Sequence, residues 1–256
     1  KRQSTIAQLE SSRDSRIILL VHRQETMKFL GIPLVRYIDV NDAEEILNAI
    51  EMTDSDVPIE LVLHTPGGLV LASMQIARAL DQHPAKVTVH VPYYAMSGGT
   101  LIALAADEIK MAQHAVLGPV DPQLGNKPAA SVVKAARAKP VEEVEDETLI
   151  FDDMARKSIR QVHAAVANLL PEELEEEDAD ELSKILTHGA WTHDHPLFHE
   201  TLESFGLNVS TDLPEDILNL MELYPQPTGQ NDGVDYVPVP RSARYGDSSS
   251  GEPFSG

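Results

Sequence analysis

One serine of this chain stands between two glycine-rich bends. Thr65, Pro66, Gly67 and Gly68 close one apolar segment, and Ala95, Met96, Ser97, Gly98 and Gly99 close the next. Glycine is needed where the main chain takes a positive φ or where a ligand must approach backbone N–H groups closely. Paired amides from Gly68 and Gly98 can donate to one oxyanion, with Ser97 between them as a nucleophile. That suits acyl transfer, in which one well-aimed amide is worth about 2.7–4 kcal/mol of barrier. The competing reading makes Ser97 only the N-cap of the apolar helix that follows, a position that serine favours.

For both bends to serve one hydroxyl, they must leave a sheet on the same rim. Residues 16–22, 59–64, 86–91 and 108–111 read as short buried strands. Helices are expected over 69–82, where Leu69, Ala72, Ile76 and Leu80 recur at helical spacing, and over 97–106. An earlier helix ending near Glu51 has a capping-box start in Asn41, Asp42, Ala43 and Glu44. The alternation predicts an α/β fold with a right-handed parallel sheet, whose carboxyl edge gathers the turns after successive strands. From about Pro128 the pattern becomes mainly helical, over 147–170, 172–186, 200–205 and 215–223. Three regions result: a polar N-terminal extension over 1–15, a domain over 16–225, and a tail or oligomer arm over 226–256, rich in Pro, Gly, Ser and Asp.

Composition excludes several classes. The 256 residues hold 41 acidic against 20 basic side chains and no cysteine, with a formal net charge of −21. A phosphate backbone would be repelled, and thiolate metal sites, disulfides and cysteine nucleophiles are ruled out. No apolar run approaches the roughly 20 residues that span a bilayer. A cytoplasmic location is expected, with any membrane tether coming from a segment upstream of Lys1. Neither GxGxxG, GxxxxGK[ST] nor GxSxG occurs, so dinucleotide binding, an ATPase of the chain's own and an α/β-hydrolase elbow lack their signatures. The acidic run over 172–181 reads as a solvated helix face rather than a calcium loop. His193, His195 and His199 crowd a short segment containing Pro196, which lacks a recognised metal-site geometry, so no metal and no cofactor is expected.

Four motifs in order, over residues 64–70, 94–109, 117–125 and 189–194, resemble the serine dehydrogenase proteinase family. That family groups with signal peptide peptidase A and the proteolytic subunit of Clp protease among the serine peptidases. The resemblance implies a crotonase/Clp-protease-like ββα spiral over about 16–225, followed by a helical C-terminal region. It implies Ser97 as nucleophile and Gly67, Gly68 and Gly98 as the oxyanion hole. The Clp subunit places a histidine in a segment that here, over 117–123, has none. Signal peptide peptidase A instead uses a Ser–Lys dyad, so Lys139 is the first choice of base, Lys134 the second and the mid-helical Lys157 the third. A lysine base must be neutral, which demands burial or a cationic neighbour. His193 with Asp194 is an alternative relay if its loop folds over Ser97, and His64 can line the cleft beside the first bend.

The activity implied is an ATP-independent serine endopeptidase acting on unfolded or membrane-derived polypeptides, with an extended peptide added as a strand beside residues 68–72. A homo-oligomer is expected. Two other readings stay open at this point: an acyl-CoA-binding enzyme of the crotonase-like fold, and a catalytically silent scaffold.

Overall fold

The computed structural model describes residues 1–22, the backbone of 27–29 and 32–34, and residues 36–171 and 173–224. The tail reading for 226–256 lies outside the described residues. In chain order the elements are α1 (Arg2–Arg13), β1 (Arg16–Val21), the hairpin β2 (Met27–Phe29) and β3 (Ile32–Leu34), α2 (Val40–Glu51), β4 (Ile59–His64), α3 (Val70–Asp81), β5 (Val87–Val91), β6 (Tyr94–Ala95), α4 (Gly98–Ala103), β7 (Glu108–Met111) and β8 (Val116–Leu117). Then follow β9 (Gln123–Leu124), β10 (Lys127–Pro128), α5 (Ala129–Arg137), α6 (Asp146–Ala167), α7 (Glu176–Thr187), α8 (His199–Ser204), β11 (Val209–Ser210) and α9 (Glu215–Met221).

The main sheet has the order β1-β4-β5-β7-β11, and every neighbouring pair is parallel. Parallel strands are covered on both faces, which is why β4 and β5 are buried throughout, their polar Glu60, Thr88 and His90 included. Alternate residues divide between two cores. Ile18, Leu20, Leu61, Leu63, Val87 and Val89 meet α2, α3 and α4 through Ile46, Ile76 and Leu101. Ile17 and Val62 point to the other face and meet Leu9 of α1 and Ile217, Leu220 and Met221 of α9. The N-terminal stretch, polar in sequence, is thus a helix laid on the sheet by one buried leucine.

Charge also ties this second face. Glu60 of β4 accepts from His90 Nε2 at 2.6 Å, from Arg13 Nη2 at 2.7 Å and from Ser15 Oγ at 2.9 Å. Arg13 reaches on to Asp216 of α9 at 3.3 Å. Burial alone would raise the Glu60 pKa, but these hydrogen bonds outweigh it and pull the carboxyl down to about 2.

Helix α2 begins two residues earlier than the capping box in the sequence suggested. Asp39 is the N-cap, in extended backbone, and its carboxylate accepts from Asn41 N at 2.8 Å and Asp42 N at 3.1 Å. Asp42 returns the contact to Asp39 N at 3.0 Å, so Asn41 already lies in the first turn. The acidic run opens α7, where Glu176, Glu177 and Asp178 are exposed in the first turn and complement the helix dipole. Among the described residues no helix is long and apolar enough to cross a membrane.

Candidate active site

Both glycine bends leave the carboxyl edge of the sheet, and they touch. The first follows β4 directly; the second follows β6, the short continuation of β5. Thr65 pairs in parallel with Ala95, through Thr65 N to the Tyr94 carbonyl at 3.1 Å and Met96 N to the Thr65 carbonyl at 3.0 Å. A Cβ on Gly67 would lie 2.6 Å from the Met96 carbonyl and 2.8 Å from Ser97 Cβ, so only glycine lets the bends meet this closely. Gly67 also takes a φ of 97°, which L side chains rarely adopt.

Ser97 has φ 52° and ψ −114°, one of two non-glycine residues with positive φ among those described. A serine held there costs on the order of 1–3 kcal/mol, and such strain collects at functional sites. Its hydroxyl makes no cap hydrogen bond to α4, so the N-cap account of Ser97 loses the interaction it rests on. The residue is half-buried. Helix α4 is 6 residues long, shorter than expected, so what faces Ser97 is mainly the first-turn N–H groups rather than a long dipole.

The direction of the Gly68 amide is set by the neighbouring chain. Ile38 N donates to the Gly67 carbonyl at 2.8 Å, and Leu69 N donates to the Ile38 carbonyl at 2.9 Å. In a trans peptide the N–H points opposite to the C=O, so Gly68 N–H faces away from Ile38. That is the side of Gly98, where a Cβ would stand 3.4 Å from Gly68 N. Among the described residues neither the Gly68 nor the Gly98 amide donates to a backbone or side-chain acceptor. The Gly67 amide is different: it donates to Thr65 Oγ1 at 3.1 Å. Of the three glycines expected in the oxyanion hole, Gly68 and Gly98 have amides to offer, and Gly67 supplies the turn.

A third segment reaches the same rim. Strand β8 runs parallel to β6 in the register Ala95 with Leu117, so the segment that leads on to Asp121 leaves β8 at the same end as the second bend leaves β6. Gly118 packs on the second bend so tightly that a Cβ would meet Met96 Cε at 2.4 Å. Leu117 pairs antiparallel with Leu197 through bonds of 3.0 and 2.9 Å. Continuing that register by four residues sets His193 opposite Asp121, and His193 Nδ1 meets Asp121 Oδ1 at 2.5 Å. Asp121 is 3% exposed and its other oxygen accepts from Gln123 Nε2 at 2.8 Å. The hydrogen bond to Asp121 raises the His193 pKa above the usual imidazole range, against the effect of burial.

The hydrogen-bond partner of His193 is Asp121, not its chain neighbour Asp194. The other two histidines of that segment are occupied separately: His195 stacks on Trp191 at 4.9 Å, and His199 lies 3.2 Å from Glu200 and 3.6 Å from Glu203. His64 is buried against Tyr93 and Tyr94, and burial pushes its pKa down to about 4. Lys134 lies on α5 and Lys139 just beyond it, both exposed, and Lys157 is paired with Asp153 at 2.5 Å on α6. None has the burial that a neutral lysine needs. The expected strand-addition edge over 68–72 is also cut short, because α3 begins at Val70 and its carbonyls enter the helix. Sequence reading missed Asp121 as an acid partner, and it placed Asp42 only in a helix cap and His22 only at a strand end. The register of the short strand β8 and the bridge from Leu117 to Leu197 place Asp121.

Comparison with known proteins shows the family. A family model described as ClpP-like SDH-type serine proteinase matches residues 1–250. The uncharacterized protein MJ0137 of Methanocaldococcus jannaschii is 53% identical over 239 residues, 93% of this chain and 84% of that one. MJ1495 of the same organism is 52% identical over 244 residues, 95% of this chain and 83% of that one. The probable protease SohB of Haemophilus influenzae is 38% identical over 81 residues, 30% of this chain and 23% of that one. Among solved structures, two of the 1510-N membrane-bound stomatin-specific protease, one of them in complex with a substrate peptide, align with a TM-score of 0.47 each, at 21% and 22% identity. They cover 72% of this chain and 79% and 74% of theirs, a likeness that adds nothing to the family assignment.

Proposed function

The chain belongs to the ClpP-like SDH-type serine proteinases, and we propose that it is an ATP-independent endopeptidase in which Ser97 is the nucleophile, Gly68 and Gly98 form the oxyanion hole, and His193 held by Asp121 is the base. The observation that carries this reading is the strained Ser97, without a cap bond, lying against a bend whose Gly68 amide is unclaimed.

In the first step His193 Nε2 takes the Ser97 proton, and Oγ attacks the peptide carbonyl. Charge developing on the carbonyl oxygen is met by the Gly68 and Gly98 amides, fixed in direction before the substrate arrives. The imidazolium, steadied through Nδ1–H by the Asp121 carboxylate, then protonates the leaving amine. Water activated by the same His193 releases the acyl group. Lys139 and Lys134 are the competing assignment of the base, and each would require a burial beyond the exposure it has here.

Beside the bends, Leu69, Val70, Leu71 and Tyr93 are exposed, an apolar rim that supports a preference for unfolded or membrane-derived segments over folded surfaces. Exposed Leu149, Ile150 and Met154 on α6 support a homo-oligomer, which sedimentation would detect.

The deciding experiment uses the full chain, fluorophosphonate labelling and casein cleavage. Ser97→Ala is expected to abolish both, and His193→Ala to lower kcat by about ten-thousandfold. Lys139→Ala and Lys134→Ala are expected to change kcat less than about twofold. Loss of activity in Lys139→Ala with retention in His193→Ala would move the base to the lysine. Labelling that survives Ser97→Ala would end the proposal.

A further inference from the structure

Behind the first bend lies a line of polar side chains that the proposed reaction does not touch. His22, directly after β1, is 2% exposed, and its main-chain N–H donates to the His64 carbonyl at 2.7 Å. Its Nδ1 lies 2.8 Å from Thr65 Oγ1 and its Nε2 lies 3.2 Å from Asp42 Oδ2. Thr65 Oγ1 is in turn 3.1 Å from the Gly67 amide.

The protons on this line can be assigned from its two ends. The Gly67 amide can only donate, so Thr65 Oγ1 accepts from it. The Asp42 carboxylate accepts, so His22 carries a proton on Nε2. Burial pushes the His22 pKa down, against the opposing pull of Asp42. A neutral ring leaves Nδ1 as an acceptor, and the Thr65 hydroxyl donates to it. Every donor thus points the same way, from the Gly67 amide through Thr65 and His22 to Asp42.

The direction matters because Thr65 Oγ1 has a rival acceptor, the Gly67 carbonyl at 3.5 Å. A hydroxyl free to turn would compete with Ile38 for that carbonyl and tilt the peptide between Gly67 and Gly68. With His22 taking its proton, the hydroxyl leaves the carbonyl to Ile38 N, and the Gly68 amide keeps its aim. We infer that Asp42, His22 and Thr65 are positioning residues, a buried relay that holds the Gly68 amide on the developing oxyanion; this rests on the reading of Gly68 as an oxyanion donor. The relay also links the bend to the N-terminus of α2, where Asp42 closes the capping box and Arg36 Nη2 stands 3.8 Å from it.

The test compares Thr65→Val, which keeps the shape and removes the hydroxyl, with Thr65→Ser, which restores it, on a fluorogenic peptide with Ser97→Ala alongside. Thr65→Val is expected to lower kcat by about 10- to 100-fold with KM within about threefold, as for a donor displaced by a fraction of an ångström. Thr65→Ser is expected to recover most of that loss. A Thr65→Val protein that melts like the parent and keeps its kcat overturns the relay while leaving Ser97 in place; turnover that survives Ser97→Ala overturns the site and the relay together. Nitrogen-15 NMR of the unaltered chain gives a readout that does not depend on any variant folding. Neutral His22 protonated on Nε2 at pH 7 is expected, and a ring protonated on Nδ1, or on both nitrogens, overturns the inference.

Discussion

Gly98→Ala tests the aim of the second amide without touching the nucleophile. Gly98 occupies the first position of α4 with an ordinary backbone conformation, so alanine there meets no φ penalty and by helix propensity alone would gain up to about 1 kcal/mol. Space decides otherwise. The new Cβ would stand 2.2 Å from Ser73 Oγ and 3.1 Å from Ser73 Cβ, on the adjoining α3. Ordinary contact starts near 3.4 Å, so the two helices must part by about 1 Å or the serine must turn. Ser73 is fully buried, and its hydroxyl has no hydrogen-bond partner among the described residues, so it can turn aside without losing a bond, while its Cβ at 3.1 Å must still give by a few tenths of an ångström. Overpacking of this size costs about 1 kcal/mol, and an oxyanion donor moved by a fraction of an ångström loses on the order of 10-fold in kcat. Peptide hydrolysis and thermal melting of Gly98→Ala should therefore show both losses. Gly98→Ala with Ser73→Gly removes the obstacle and should restore much of kcat. A single variant with parental kcat, or a double variant as inactive as the single one, would refute the placement of Gly98 at the oxyanion.

Three further outcomes follow from geometry already described. Ser97→Gly should melt higher than Ser97→Ala by an amount corresponding to about 1 kcal/mol, because glycine accepts φ 52° without strain, while both are inactive; equal melting temperatures would show that the serine is unstrained. Glu60 has a folded pKa of about 2, below its ordinary value, so its contribution to stability is present above about pH 4.5 and is lost as pH falls toward 2. Glu60→Gln should be less stable at pH 7 by about 3 kcal/mol and should show a shallower fall between pH 5 and 2.5; parallel curves would refute the role. Since Asp121 raises the His193 pKa, and the base acts when neutral, activity should fall as pH drops through a value above the ordinary imidazole range. Asp121→Asn should move that acid limb to lower pH and lower the plateau; an unmoved limb would take His193 out of the reaction.

Much of the α/β pattern was legible because short segments rich in Ile, Leu and Val stand between turn signals: β4 and β7 occupy the residues read as strands, and β1 and β5 differ by one residue at an end. The amphipathic α3 was equally plain, and the bends followed from glycine placed after strands. Helix α1 was not legible, since a single buried leucine on a polar surface gives no period. The strands β6, β8 and β11 span two residues each and carry no alternation. The partner of His193 was hidden for the same reason. It is fixed by a bridge between Leu117 and Leu197, eighty positions apart, whereas local spacing favoured Asp194. The exposure of Lys134 and Lys139 is a tertiary property that no local window of sequence reports.

That bridge has a further consequence for when the protein can do harm. Ser97 and both bends belong to the first half of the chain, whereas His193 is delivered only after α5, α6 and α7 have been made and Leu197 has found Leu117. On the assignment proposed above, a nascent polypeptide still short of that pairing carries the Ser97 hydroxyl without its proposed base. Cleavage would then wait until the chain has been made through Leu197, so the order of residues along the backbone would itself delay self-digestion at the ribosome.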